Sequence, residues 1–168
     1  MTRMQSHRLI KLYIFDADGT LRRSTVPGQP CPNAPGDWEL MPGVRERLAK
    51  IEWRSEKASF GIASNQGGVG MGYFTREAAY QLLTEMVVAA FGATPPENSI
   101  ELCPHAPRDN CPCRKPKPLM LTRLMHRFHA RKDQTLYVGD MDRDKEAAQR
   151  AGFRFMWARD FFDWDDQV

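Results

Sequence analysis

Short apolar runs alternate with amphipathic segments along most of this chain. A short apolar run that ends at a polar or turn-forming residue is typical of a buried β-strand. Strands are therefore predicted at residues 9–15, 59–63, 99–102, 135–138 and 153–157.

The segments between these runs show helical spacing. In residues 76–91 the apolar side chains recur every three or four positions, so one stripe of a helix is expected to be buried. Thr75 is suited to cap the start of this helix and Gly92 to end it. Asp142 is a candidate cap for a later helix. Further helices are predicted at residues 44–51, 118–129 and 145–151.

The alternation of strands and helices indicates an α/β fold, a parallel sheet with helices on both faces. Residues 22–39 are rich in proline and glycine and are predicted to form a loop, and the glycine-rich residues 67–72 are predicted to be flexible. We find no internal repeat and no long linker. Residues 1–168 are therefore expected to form a single domain.

The composition is that of a globular protein of ordinary domain size. Of its 168 residues, 42% are hydrophobic and 27% charged, which excludes a mostly disordered chain. The formal net charge of +3 suits an anionic substrate but is too small to argue for nucleic acid. No apolar run approaches the roughly 20 residues that span a bilayer, and no signal peptide is expected at residues 1–8, because no apolar region with a small-residue cleavage site follows them. We expect a cytoplasmic monomer with no membrane segment.

Residues with catalytic potential follow the predicted strands. The carboxyl ends of parallel strands lie at one edge of the sheet, where ligands bind in open α/β folds. Placement of every polar motif at that edge is harder to obtain by accident than any single motif. The residues concerned are Asp16, Asp18, Ser64, Asn65, Lys115 and Asp140.

These residue types suit phosphate transfer through a covalent intermediate. Asp16 is the candidate nucleophile, because a carboxylate that attacks phosphorus divides hydrolysis into two easier displacements. Asp18 is placed to protonate the leaving alkoxide and later to activate water. Ser64 and Asn65 are expected to donate hydrogen bonds to the phosphate, from the hydroxyl and a backbone N–H. Lys115 offers its positive charge to the transferring phosphoryl group.

A magnesium ion completes this chemistry, because Mg²⁺ prefers a few hard oxygen ligands. Its predicted ligands are Asp16, the backbone carbonyl of Asp18, and Asp140. Asp144 is either a second acid on the metal side or a residue that orients Lys115. Each motif also occurs as an ordinary turn or a solvated loop, so the prediction depends on their combination.

A cluster of sulfur and nitrogen ligands follows the third strand: Cys103, His105, Cys111 and Cys113. Three thiolates and one imidazole form a complete tetrahedral shell for Zn²⁺, and a closed shell predicts a structural zinc. The alternative is three buried free cysteines with an exposed histidine. Cys31 has no partner in the sequence and is expected to be an unrelated thiol.

Taken in order, the motifs from about residue 9 to 157 resemble those of the haloacid dehalogenase (HAD) superfamily of phosphatases. The zinc pattern followed by Cys113-Arg114-Lys115-Pro116 resembles the capless subfamily IIIA, with its heptose 1,7-bisphosphate and histidinol-phosphate phosphatases. Too few residues separate Leu21 from the Met41-Pro42-Gly43 turn for a cap domain. The resemblance implies a Rossmann-like sheet, Mg²⁺ catalysis and a zinc loop that helps form the substrate pocket.

The chain departs from this family where basic residues are usual. Ala17 stands between the first two acids in place of arginine, Met71 replaces an arginine in the glycine-rich segment, and Met141 replaces a lysine after Asp140. Arginine and lysine at such positions recognise a remote phosphate or sugar hydroxyls. Arg114 is left as the basic residue expected to contact the substrate.

The main hypothesis is a Mg²⁺-dependent phosphomonoester hydrolase that uses an aspartyl-phosphate intermediate. Its substrate is a small phosphorylated metabolite, either a sugar phosphate such as heptose 1,7-bisphosphate or histidinol phosphate. One alternative is a nucleic-acid 3′-phosphatase, against which the chain lacks a concentrated basic stripe with interleaved aromatic residues. Another is a non-catalytic, zinc-stabilised binding module, which has no physical need to keep the full set of catalytic residues.

Overall fold

A computed structural model describes residues 9–168. Its strands are β1 (Leu12–Phe15), β2 (Arg22–Ser24), β3 (Trp38–Leu40), β4 (Ser59–Asn65), β5 (Ile100–Cys103), β6 (Thr135–Gly139) and β7 (Arg154–Trp157). Its α-helices are α1 (Val44–Leu48), α2 (Arg76–Phe91), α3 (Leu119–Arg127), α4 (Asp142–Ala151) and α5 (Ala158–Phe161). Two 3₁₀ turns lie at Pro107–Asp109 and Lys132–Gln134.

A parallel sheet of five strands, in the order β5-β4-β1-β6-β7, forms the centre of the fold. Side chains of a strand alternate between its two faces, so Leu12 and Ile14 of β1 pack with α3 and α4, whereas Phe15 packs with α1, α2 and α5. Apolar layers therefore cover both faces of the sheet. The predicted fold class is confirmed.

The strand order reverses at β1. The chain builds outward from β1 to β4 and β5 on one side and then crosses to β6 and β7 on the other. At the end of β1, Phe15 is level with Ile62 of β4 and Val138 of β6. Asp16 therefore leaves the sheet at its topological switch point, where ligands bind in folds of this kind.

The prediction of a loop over residues 22–39 was wrong at both ends of that segment. β2 and β3 form an antiparallel hairpin in which Arg22 pairs with Leu40 and Ser24 with Trp38. Three-residue strands on either side of a proline-rich turn are too short to show a sequence period. Residues 25–37, between the two strands, are too few for a cap domain, so the described chain has none at this point.

The start of α4 also differs from the prediction. Asp142 is the first residue of the helix rather than its cap. The cap function falls to Asp144, whose Oδ2 accepts hydrogen bonds from the backbone N–H groups of Asp140 at 3.3 Å and Met141 at 3.1 Å. Backbone N–H groups at a helix start have no partner within the helix, so this carboxylate satisfies two donors at once.

Within residues 9–168 no helix has both the length and the apolar character needed to cross a bilayer. The expectation about a signal peptide concerns residues 1–8, which lie outside the described residues. The single domain over residues 1–168 and the monomeric state remain predictions.

Candidate active site

Asp16 and Asp140 meet at the carboxyl edge of the sheet. Asp16 follows β1 and its backbone N–H donates to Val138 O at 3.0 Å, while Asp140 follows β6 directly. Thr20 Oγ1 donates to Asp140 Oδ1 at 3.1 Å and links the two strand ends. Gly19, with φ of +85°, lets the chain turn there, and a Cβ at this residue would lie 2.2 Å from Asp140 Oδ2. The turn after β1 therefore requires glycine both for its backbone angle and for space.

The Lys115 ammonium group lies at the centre of a buried polar network. Lys115 Nζ donates to Asp16 Oδ1 at 2.8 Å and to Asp144 Oδ1 at 2.7 Å. The same nitrogen lies 2.9 Å from Ala63 O and 2.7 Å from Tyr137 Oη. Tyr137 Oη in turn donates to Asp144 Oδ1 at 2.8 Å. One cation thus holds the candidate nucleophile against a second acid.

Burial and charge together set the ionisation of this network. Burial raises the pKa of Asp16 well above its ordinary value, and the Lys115 cation only partly opposes this. Burial also raises the pKa of Asp140. For Lys115 burial lowers the pKa, but the Asp16 and Asp144 carboxylates outweigh it and the pKa is raised. For Asp144 burial raises the pKa, but Lys115 outweighs it and the pKa is lowered. Asp144 and Lys115 are therefore a charged pair.

Asp18 is held by a second, separate set of contacts. Arg22 Nε donates to Asp18 Oδ1 at 2.8 Å, and Arg22 Nη2 lies 3.4 Å from Asp18 Oδ2. Gln66 Nε2 donates to Asp18 Oδ2 at 2.9 Å and to Ser64 Oγ at 2.8 Å. Among the described residues, Arg22 Nη1 and Gln66 Oε1 are buried without a hydrogen-bond partner. The carboxylate of Asp18 therefore points away from the Lys115 network and toward β2 and the end of β4.

Ser64 and Asn65 occupy the end of β4, where the sequence predicts them. Ser64 is buried beside Gln66. The side chain of Asn65 makes two hydrogen bonds to the backbone of Lys115, with Nδ2 donating to Lys115 O at 3.2 Å and Oδ1 accepting from Lys115 N at 3.0 Å. The amide group of Asn65 thus fixes the loop that carries the lysine. Only its backbone N–H remains for the phosphate contact that the sequence predicts.

Three carboxylates lie close enough to hold a metal ion. Asp16, Asp140 and Asp144 each present an oxygen, and these oxygens lie within 4.8 Å of one another. Oxygens bound to one Mg²⁺ are roughly 3–4 Å apart, so the donor set fits a hard divalent cation. Both oxygens of Asp144 already accept hydrogen bonds, which favours its role in orienting Lys115. Asp16 and Asp140 are the carboxylates left for the metal.

Cys103, His105, Cys111 and Cys113 converge at the end of β5. Cys113 Sγ lies 3.2 Å from Cys103 Sγ, 3.3 Å from His105 Nδ1 and 3.7 Å from Cys111 Sγ. Ligands on a tetrahedral zinc ion at about 2.0–2.3 Å lie about 3.3–3.8 Å apart, so the four atoms fit Zn²⁺ closely. The cluster therefore could bind zinc with no coordination position left open.

The loop that carries the cysteine–histidine cluster, residues 103–113, packs directly on the glycine-rich segment at residues 67–72. Gly70 N donates to Pro104 O at 2.8 Å, and a Cβ at Gly70 would lie 2.6 Å from Ala106 N. A Cβ at Gly67 would lie 3.0 Å from Arg114 Nη1, which donates to His105 O at 3.2 Å. These glycines permit close approach of two backbones. The close packing of Gly67 and Gly70 on this loop does not fit the flexibility predicted for residues 67–72.

Three residues of the site were not predicted as site residues from the sequence: Arg22, Gln66 and Tyr137. Gln66 directly follows Ser64 and Asn65 in the sequence, and Arg22 lies four residues after Asp18. Their positions beside predicted site residues were therefore a usable signal. Tyr137 lies in a strand of buried residues and has the sequence pattern of an ordinary core aromatic residue. Nothing in the local sequence distinguishes its hydroxyl contact with Lys115.

Solved structures share this fold. D,D-heptose 1,7-bisphosphate phosphatase from Bordetella bronchiseptica, solved with magnesium and phosphate, aligns with a TM-score of 0.71 at 28% identity, covering 87% of this chain and 79% of that one. A putative HAD-like phosphatase from Mesorhizobium loti aligns with a TM-score of 0.63 at 24% identity, covering 86% and 70%. The fold is that of HAD-type phosphatases.

The family described as polynucleotide kinase 3 phosphatase matches residues 11–165, and the chain belongs to this family. D-glycero-β-D-manno-heptose-1,7-bisphosphate 7-phosphatase from Neisseria meningitidis is 32% identical over 143 residues, which cover 85% of this chain and 74% of the relative. The bifunctional histidine biosynthesis protein HisB from Legionella pneumophila is 32% identical over 149 residues, 87% of this chain and 40% of that protein. The chain is a phosphatase, and the alternative of a non-catalytic module is not supported.

Proposed function

We propose that this enzyme hydrolyses the phosphomonoester of a small metabolite through an aspartyl phosphate on Asp16, with Mg²⁺ as its catalytic cofactor. The main support is the 2.8 Å contact between Asp16 Oδ1 and Lys115 Nζ, beside Asp140, at the switch point of the sheet. A carboxylate fixed by a cation at this position is aligned for attack on phosphorus.

The residues divide the two half-reactions among them. The free oxygen of Asp16 attacks phosphorus, and the leaving alkoxide takes a proton from Asp18. Water then attacks the aspartyl phosphate, with Asp18 accepting a proton from it. Lys115 stabilises charge on the equatorial oxygens, and Ser64 Oγ–H and the backbone N–H of Asn65 donate to the phosphate.

Asp16, the backbone carbonyl of Asp18, and Asp140 are the proposed Mg²⁺ ligands. When bound, the metal neutralises negative charge on the phosphoryl group and screens it from the Asp16 carboxylate. The proton transfers are assigned to Asp18, and the positioning of the phosphate to Lys115, Ser64 and Asn65.

Zn²⁺ is proposed as the second cofactor, with a structural role. The four-ligand cluster holds the loop that leads to Arg114 and Lys115, and Arg114 is the proposed basic contact to the substrate. The four free thiols, three of them in this cluster, fit a reducing compartment, so the proposal places the enzyme in the cytoplasm.

The proposed substrates follow from the relatives. Those relatives are named for a heptose bisphosphate and for histidine biosynthesis, so a sugar phosphate or histidinol phosphate is proposed here. A phosphate-release assay over sugar phosphates, histidinol phosphate, nucleotides and a 3′-phosphorylated oligonucleotide tests this. Activity with a small ester, dependent on Mg²⁺ and lost in Asp16→Asn, is the expected result. Turnover retained by that variant would refute the aspartyl-phosphate mechanism.

A nucleic-acid 3′-phosphatase is the second candidate, favoured by the description of the family that matches residues 11–165. The two candidates differ in their response to salt. Affinity for a polynucleotide falls steeply as ionic strength rises, because counterions are released on binding, whereas a small ester responds weakly. Two results together would establish this candidate instead. The oligonucleotide would be hydrolysed faster than every small ester, and its hydrolysis would fall steeply as the salt concentration rises.

A further inference from the structure

A cavity of about 440 Å³ opens between the turn of the β2–β3 hairpin and the glycine-rich segment. We call it the hairpin pocket. Its lining includes Gln29, Cys31, Asn33, Gly68, Met71 and Tyr73. Within residues 9–168, none of the side chains that line it carries a formal charge.

The hairpin pocket lies on the Asp18 side of the active site. Asp18 is held by Arg22, at the start of the hairpin, and by Gln66, just ahead of the glycine-rich segment. These two segments continue into the two walls of the pocket. Cys31 is close enough for the charges of Asp18 and Arg22 to act on its thiol. A group that leaves toward Asp18 is therefore directed toward this pocket.

The nearby cations, Arg22 and Arg114, do not line the hairpin pocket. The Arg22 guanidinium is fully buried, donates to Asp18 Oδ1 at 2.8 Å and does not line the pocket. Arg114 Nη1 donates to His105 O beside Gly67 at 3.2 Å and is outside the lining of the pocket. A second phosphate placed in the pocket would exchange water for neutral side chains without a cation to pair with it, which is unfavourable.

The lining suits a ring that is partly apolar. Tyr73 and Met71 are 66% and 45% exposed and present an aromatic face and a thioether. Aromatic faces pack well against the apolar side of a ring, while the amide of Asn33 is available to hydroxyl groups. The volume falls within the range of about 300–1,000 Å³ of small-molecule sites.

We propose that the hairpin pocket binds the leaving alcohol, and that this alcohol carries a ring and no second phosphate. This inference rests on the proposed phosphatase function and narrows its substrate class to monophosphates. Met71 and Tyr73 then determine specificity.

The test compares glucose 6-phosphate with glucose 1,6-bisphosphate, a pair that differs only in the second phosphate. We expect kcat/KM to favour the monophosphate by about tenfold or more. Met71→Arg places a cation in the pocket and should reduce this preference by about tenfold, because the arginine pairs with the second phosphate. Tyr73→Arg, at another exposed residue of the pocket, makes the same test independently.

Met156→Arg is the matched control. Met156 is 39% exposed, but it lies on β7 and outside the pocket. The Met156→Arg variant should show the same preference for the monophosphate as the unchanged enzyme. The inference is overturned if the bisphosphate is the better substrate of the unchanged enzyme, or if all three variants keep the same ratio. Failure of the proposed function is a different result, since no phosphate ester would then be hydrolysed.

Discussion

The hydroxyl group of Tyr137 lies 2.7 Å from Lys115 Nζ and donates to Asp144 Oδ1 at 2.8 Å. Burial and the Asp144 carboxylate raise the pKa of Tyr137 well above its ordinary value, so the hydroxyl keeps the proton that it donates. Lys115 has four oxygen neighbours for three N–H groups. Tyr137 is therefore a positioning residue that limits the ways in which the ammonium group can orient.

Tyr137→Phe should lower kcat with little change in KM. The ring keeps its packing, and Lys115 keeps three acceptors, so the free energy of unfolding should fall by only about 1 kcal/mol. Loss of the hydroxyl leaves the ammonium free to move, and kcat should fall by about tenfold. Steady-state kinetics measures both parameters. A rise in KM at constant kcat would show instead that the hydroxyl acts in substrate binding.

Gly19→Ala should abolish Mg²⁺-dependent activity. The added methyl group would lie 2.2 Å from Asp140 Oδ2 and displace this carboxylate. Gly36→Ala is the matched control, since Gly36 has the same φ of +85° and no atom within 4 Å of the added Cβ. Both variants carry backbone strain of about 1–2 kcal/mol, but only Gly19→Ala should lose turnover. Equal activity in the two would show that the Asp140 position is unimportant.

Cys111→Ser should release zinc and destabilise the protein. The purified enzyme should contain about one zinc per chain, and the variant much less, because one of four ligands is lost. Cys31→Ser should retain full zinc content, since Cys31 is not part of the cluster. Elemental analysis and the thermal midpoint measure the two effects. A metal-free chain of unchanged stability would contradict the structural role of zinc.

The affinity for Mg²⁺ should fall as the pH is lowered, starting above the ordinary range of aspartate. Burial raises the pKa of Asp16 and of Asp140, and only ionised carboxylates bind the metal. Protons and Mg²⁺ therefore compete, and binding of the metal releases protons. Calorimetric titration in buffers of different ionisation enthalpy measures this release. Affinity that stays constant down to pH of about 4.5 would show that the carboxylates have ordinary pKa values.

The pKa of Asp144 is shifted in the opposite direction from those of Asp16 and Asp140. The pKa of Asp144 is lowered in the folded state, so the carboxylate contributes stability that is present above its unfolded pKa. This contribution is lost as the pH falls through the folded pKa. Asp144→Asn removes the charge that pairs with Lys115 and should reduce the acid-dependent part of the unfolding free energy. Denaturant unfolding at several pH values makes the comparison.

Much of the site followed from short sequence signals. Asp16, Ser64 and Asp140 each come directly at or after the end of a strand, and the zinc ligands lie within one loop. Such signals are local, because the period of a strand and the spacing of ligands are visible within a few residues. The hairpin of β2 and β3 was not predicted, because each of its strands has only three residues and shows no clear alternation of apolar and polar positions.

The sequence by itself determined the fold class, the sheet edge that carries the acids and the composition of the zinc cluster. Only the tertiary structure decided which side chains meet there: Asn65 on the backbone of Lys115, Arg22 and Gln66 on Asp18, and Tyr137 between Lys115 and Asp144. The physical reason is that hydrophobic periodicity reports whether a residue is buried, whereas its partner is set by the packing of segments far apart in the chain. Tyr137 and Lys115 are 22 residues apart and Asp16 and Lys115 are 99 apart, and no local pattern encodes such a contact.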